Sequence, residues 1–168
     1  YRCASLDEAR AWTALDPAVT NRRLVLDVYR WAGPANLGEL VAAKLKQDPD
    51  PKLDMQRLPL IVFRKTERWS GELPKALLDT HAASTGALVK QGLLRVAGAF
   101  LGDDGAPAGA PGIAGVLVFK AMPLAEALAI ANRDPLVREG YARLDAYEWF
   151  VADEALPKPE TPRAGLPQ

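Results

Sequence analysis

The fold turns on one stretch, Leu77-Leu-Asp-Thr-His-Ala-Ala-Ser-Thr-Gly-Ala-Leu-Val-Lys-Gln-Gly-Leu-Leu-Arg-Val-Ala-Gly98. Leu73, Leu77, Leu78, Leu88 and Val89 fall on one stripe at helical spacing, so residues 71–91 read as an amphipathic helix. Gly92 stands where such a helix stops, because glycine takes the left-handed conformation without a Cβ clash. Leu93 to Leu101 then resumes as an apolar run and reads as a strand.

Upstream, Leu58 to Lys65 (Leu-Pro-Leu-Ile-Val-Phe-Arg-Lys) is rich in strand formers, with Pro59 near its start, where a missing N–H is tolerated. Downstream, the Gly/Ala/Pro/Asp-rich stretch 102–112 reads as a loop, and Ile113 to Ala121 as a strand. Residues 123–132 read as a helix, Asp134-Pro135 breaks it, and Tyr141 to Val151 reads as the last strand. The order is strand, helix, strand, strand, helix, strand. Two βαβ units in that order give a ferredoxin-like antiparallel sheet with both helices on one face. The expected class is therefore α+β, a βαββαβ domain over 57–152 whose second sheet face needs a partner.

Residues 5–31 align without a gap on 123–149 at an offset of 118, with 11 of 27 positions identical. The identities include Leu6/Leu124, Glu8/Glu126, Asp16/Asp134, Pro17/Pro135, Leu26/Leu144, Tyr29/Tyr147 and Trp31/Trp149. The chain thus opens with what reads as the last helix and strand of a second copy. Within it, Ser5 and Glu8 have capping-box spacing, and Leu24, Leu26 and Val28 alternate as in a strand. Two histories fit: a complete first copy upstream, which we favour, or a helix–strand remnant. The expected organisation is 1–33 as the C-terminal part of a first copy and 34–56 as a helical linker around a helix at 36–46. The complete domain over 57–152 and a Pro-rich tail over 153–168 follow.

Composition narrows the chemistry. Lys+Arg and Asp+Glu both number 21, so no basic excess exists to neutralise a phosphate backbone, and nucleic acid is not the expected partner. No run of about 18 apolar residues is present, so no membrane span is expected. One cysteine, Cys3, and one histidine, His81, cannot build a disulfide or a multi-histidine metal site within the chain, and neither metal nor cofactor is expected. The first residue, Tyr1, is not Met, so the compartment stays open, cytoplasmic by default with export not excluded.

His81 is the leading candidate for chemistry. It follows Leu77 by four residues on the inward stripe and reads either as a half-buried, singly hydrogen-bonded histidine or as a general acid/base. Asp134 reads either as a helix cap ahead of Pro135 or as a carboxylate that orients His81. Ser84 and Thr85, one turn past His81, are placed to reach the same cleft, or to bond back to their own helix. Gly98 inside a strand suggests close approach of a backbone or ligand, or else a bulge. Arg64 with Lys65 can attract an anionic substrate or stand in solvent; Tyr147 and Trp149 read as core or inter-sheet packing. The expected substrate-binding set is Ser84, Gly98 and Arg64.

Two of these segments carry a resemblance. His81 through the Gly92-Leu-Leu turn to Ala97-Gly98, and the Glu126-Ala helix followed by Asp134-Pro-Leu-Val-Arg-Glu-Gly140, together resemble the YCII-related (YciI-like) family over about 95 residues. The resemblance implies a ferredoxin-like fold, dimers whose sheets pack into an α/β barrel, and an active site pairing His81 with Asp134. One branch of that family is a dehydrochlorinase acting on a chlorinated hydroxyhydroquinone, and most members have no assigned reaction. Ala99 stands where the family often has proline, which alters the expected pocket edge. The implied function is a cofactor-independent lyase or isomerase acting on a small oxygenated ring or similar compound. The alternative is a non-catalytic ligand-binding or structural module. A homodimer or an intrachain pseudo-dimer is the implied assembly.

Overall fold

The computed structural model describes residues 3–34, 36–70, 72–101 and 112–157. Its elements in chain order are α1 (Leu6–Thr13), α2 (Pro17–Thr20), β1 (Trp31–Ala32), α3 (Glu39–Gln47), β2 (Met55–Lys65), α4 (Lys75–Lys90) and β3 (Leu94–Phe100). There follow β4 (Ile113–Phe119), α5 (Leu124–Ala131), α6 (Pro135–Arg138), β5 (Ala142–Ala152) and a 3₁₀ turn at Asp153–Ala155. The loop read at 102–112 and the end of the tail lie largely outside the described residues.

The five strands form one antiparallel sheet in the order β1-β3-β4-β2-β5. Strands β2 to β5 have the ferredoxin-like order, and β1 adds to the free edge of β3 through Trp31↔Phe100 and Ala32↔Ala99. Strand β2 runs beside β5 in unbroken register from Met55↔Ala152 to Lys65↔Ala142. Pro59 falls one residue before pairing with β4 begins at Leu60↔Val118, so its missing N–H interrupts no β4 ladder position.

Helix α4 ends as its sequence dictates. Gly92 has φ 65°, its N–H donates to the Val89 carbonyl (2.9 Å), and the Leu93 N–H donates to the Leu88 carbonyl (3.0 Å). This pair of bonds closes the last turn and delivers the chain to β3. Helices α4, α5 and α6 cover one sheet face, where Ile61, Phe63, Leu117 and Phe119 pack with Leu73, Ala127, Ala131 and Leu136. Burying that apolar face is the main driving force for the domain.

The opposite face is not fully open. Leu58, Val96, Val118, Val151 and Leu156 form a second cluster beneath Trp31 and Leu37. Helix α3 is tied to the C-terminal turn by a Lys44–Glu154 ion pair and by the Gly38 N–H donating to the Ala155 carbonyl (2.8 Å). Arg95, 6% exposed along its side chain, donates to Asp153 (2.6 Å) and to the Pro157 carbonyl (3.0 Å). Residues 36–47 and 153–157 are thus packed onto the sheet, and the Pro-rich tail beyond residue 157 lies outside the described residues.

The N-terminal segment repeats the local conformation of the C-terminal one. Asp16 Oδ1 accepts the Ala18 N–H (2.7 Å) at the start of α2, as Asp134 Oδ1 accepts the Leu136 N–H (2.9 Å) at the start of α6. Both short helices close alike: the Arg23 N–H donates to the Ala18 carbonyl (2.8 Å), and the Tyr141 N–H to the Leu136 carbonyl (2.9 Å). The residue at positive φ is Arg22 (56°) in the first and Gly140 (75°) in the second. The strand expected over 24–31 is different: only Trp31 and Ala32 pair, and residues 24–30 carry no ladder.

A candidate active site between helix α4 and the sheet

Helix α4 crosses the sheet so that His81 faces the start of α6. Asp134, 5% exposed, holds the cap position of α6 with an extended backbone (φ −60°, ψ 136°). Oδ1 accepts the Leu136 N–H, and Oδ2 lies 2.7 Å from His81 Nδ1. An ionised carboxylate only accepts, and with that form the bond runs from Nδ1–H to Oδ2. Nε2 is left for other partners. The ring edge packs against Phe63 (centroids 5.8 Å apart, planes at 66°), which fixes the imidazole from a second side. The two roles weighed for Asp134, cap and histidine partner, are filled at once by its two oxygens.

His81 forms part of the wall of a cavity of about 490 Å³. The floor is the sheet at Ala97, Gly98, Ala99 and Gly115, where small residues leave depth, and Leu117 and Leu136 lie alongside. Phe63, Trp69, Leu78 and Phe100 complete the apolar lining. Such a volume suits a small ligand. Among the described residues the polar side chains on the lining are His81, Thr85 and Trp69. No group of three or more His, Cys, Asp or Glu side chains converges there or elsewhere among the described residues as a metal site would require.

The other expected site residues are distributed differently. Gly98 does line the cavity, but a Cβ on it would meet the Trp31 indole, 2.3 Å from Nε1, on the far side of the strand. Its smallness therefore admits the indole and the Ala32 carbonyl, 2.6 Å from the same point, a close backbone approach of the kind the strand glycine suggests. Ser84 is not part of the lining; Thr85, at i+4 from His81, takes that place. Arg64 lies on the opposite sheet face, paired with Asp145 and away from the cavity. Strand alternation explains this, since Ile61 and Phe63 face the helices and Arg64 must then face away. The Arg64 guanidinium, through its hydrogen bond, holds the Asp145 carboxyl below its usual range against the opposing effect of burial, and Arg143 adds to it. Phe63, Trp69 and Phe100 had no signal as site residues beyond their apolar character, because a strand or loop aromatic reads as core in any sequence.

A family model described as a YCII-related domain matches residues 58–149, more than half of the chain. The chain belongs to the YCII-related family. No curated protein and no solved structure matches it. The YCII-related region contains His81, Asp134 and the whole cavity lining, while α1, α2 and α3 lie outside it. Among the described residues no helix is long and apolar enough to cross a membrane.

Proposed function

We propose that this YCII-related protein is a cofactor-independent enzyme of lyase or isomerase type, acting on a small oxygenated, ring-bearing compound. The observation that carries the reading is the 2.7 Å contact between His81 Nδ1 and Asp134 Oδ2 at the wall of the cavity. Asp134 fixes the ring and its tautomer, and Nε2 takes a proton from the substrate and returns it. A positioned base of this kind contributes roughly 100- to 10,000-fold in rate.

The test has two parts. Turnover of cyclic hydroxy and keto compounds is screened with the wild-type protein and with His81→Ala, which is expected to lose activity by about that same 100- to 10,000-fold factor. The ring tautomer is read from the ¹⁵N shifts of the single histidine. The wild type is expected as Nδ1–H. In Asp134→Asn the amide oxygen keeps the Leu136 cap and the amide N–H turns toward Nδ1, moving the ring hydrogen to Nε2. Full activity in His81→Ala, or a wild-type Nε2–H tautomer, overturns the reading.

A second reading, a non-catalytic ligand-binding or structural module, is favoured by one observation. Asp16 caps α2 as Asp134 caps α6, with no histidine beside it among the described residues, so the aspartate has a structural use without chemistry. Binding without conversion in the screen selects this reading. The partner in either case is a small molecule. An assembly through the second sheet face, as a homodimer or an intrachain pseudo-dimer with a first copy contributing 1–33, belongs to the same proposal. It draws support from the exposure of Tyr147 (47%) and Trp149 (37%) on β5.

A further inference from the structure

Thr85 has no hydrogen-bond partner although its hydroxyl is shut off from water. Every other described threonine bonds a backbone carbonyl: Thr13 to Ala9, Thr20 to Pro17, Thr66 to Gly140 and Thr80 to Ala76. The helical ones show what Thr85 forgoes, since a helical threonine ordinarily turns its hydroxyl back to the carbonyl one turn earlier. A buried hydroxyl left unpaired is costly, and such groups in folded proteins call for an explanation. Thr85 lies on the cavity wall one helical turn after His81. Residues four apart on a helix face have Cβ atoms about 5–6 Å apart. That spacing leaves room for one ligand oxygen between them at ordinary hydrogen-bond lengths of about 2.8 Å. Rotation about Cα–Cβ by one staggered well changes which of its methyl and hydroxyl Thr85 presents to the cavity.

The rest of the lining says what surrounds that oxygen. Ala97, Leu117, Phe63 and Leu136 present carbon, and no Lys or Arg belongs to the lining among the described residues. A carboxylate or phosphate moved into these surroundings would lose its hydration without a counter-charge.

We infer that the cavity selects a neutral, predominantly apolar ring compound with a single hydroxyl group, whose hydrogen His81 Nε2 accepts and whose oxygen accepts the Thr85 O–H. Thr85 is thus a specificity-determining residue, and the inference rests on the reading of this cavity as the substrate site.

The test uses three probes of one shape, 2-naphthol, 2-naphthoate and naphthalene, titrated into the wild-type chain, Thr85→Val and Thr85→Ser at pH 7.5. Binding is followed by NMR of the His81 ring in all three proteins, and of the methyl groups at position 85 in the wild type and Thr85→Val. The wild type is expected to bind naphthol at least tenfold more tightly than naphthoate. Thr85→Val is expected to weaken naphthol by roughly five- to tenfold, the worth of one neutral hydrogen bond, while naphthalene is unaffected and Thr85→Ser restores naphthol. Equal affinity for naphthol and naphthoate, no effect of Thr85→Val, or no binding of naphthol each overturns the inference. The ligand-free tautomer of His81 separates this outcome from the fate of the proton-transfer reading. With Nδ1–H present and the Thr85 arm negative, the dyad stands and the substrate class falls; with the reverse, the cavity binds neutral rings without a working dyad.

Discussion

The Oδ1 of Asp134 holds α6 and its Oδ2 holds His81, so substitutions at this one residue separate structure from chemistry. Asp134→Asn keeps an oxygen for the Leu136 N–H. Asp134→Ala removes both bonds and is expected to lower stability by about 1 kcal/mol for the cap, with a further loss because the buried Leu136 N–H and His81 Nδ1–H are left unpaired. Urea denaturation of the two variants checks this: Asn is expected closer to wild type than Ala, and equal losses would show that the cap is unimportant. The sequence made this residue visible through Asp-Pro, which is helix-start chemistry, and through a histidine on an inward stripe. It left open which role Asp134 plays, because pattern alone does not state that a carboxylate has two oxygens facing different ways. Thr85 was harder to read: it and Ser84 are equivalent in spacing to His81 within one residue. Only the rotation of α4 against the sheet decides that Thr85 faces the cavity.

Among the elements, the boundary of α4 shows how far local rules reach. The apolar stripe suggested 71–91, and the helix begins at Lys75 because Pro74 disfavours helical backbone at the residue before it. The capping box of α1 is present, with Ser5 Oγ accepting the Glu8 N–H (3.1 Å), while Glu8 reaches the Ala4 N–H (2.7 Å) in place of Ser5. Residues 24–31 alternate as a strand does, yet a strand exists only where a neighbour supplies the ladder, and β3 supplies it for two residues alone. That short pairing seats the Trp31 indole over Gly98, with the Ala32 carbonyl 2.6 Å from where a Cβ at Gly98 would stand. Gly98→Ala is therefore expected to destabilise by about 1–3 kcal/mol through overpacking. Trp31→Ala made in addition should recover part of that loss, and a double-mutant cycle with no coupling between the two sites would contradict the packing account.

For the whole molecule, the sheet separates two chemistries. The helix side carries the cavity and the His81–Asp134 pair; the other side carries Arg64, Asp145 and the exposed Tyr147 and Trp149. Asp145 has its folded-state pKa depressed by Arg64. Its contribution to stability is present above the unfolded value of about 3.9 and is lost as the pH falls through the lower folded value. Asp145→Asn is expected to cost about 1 kcal/mol or less near neutrality, the pair being partly solvated, and this deficit should shrink as the pH is taken below about 4. Denaturation midpoints of both proteins from pH 2.5 to 7 measure it; a deficit unchanged across that range would mean that the ion pair contributes nothing. The order of strands and helices could be read from the chain because each period and breaker is local. The division of polar residues between the faces was only half legible. Arg64 invited an anion-binding reading, and its true partner, Asp145, is 81 residues away in the chain.

The strand at Gly98 is a wall one backbone thick, with a cavity on one side and an indole on the other. No side chain at that position cushions the two. A guest pressing on the cavity floor therefore displaces the surroundings of Trp31 without touching it, and the buried indole N–H, which has no partner, has nothing to anchor it against that movement. With Trp69, which does line the cavity, replaced, the emission of Trp31 is expected to report occupancy by a compound that the indole does not touch.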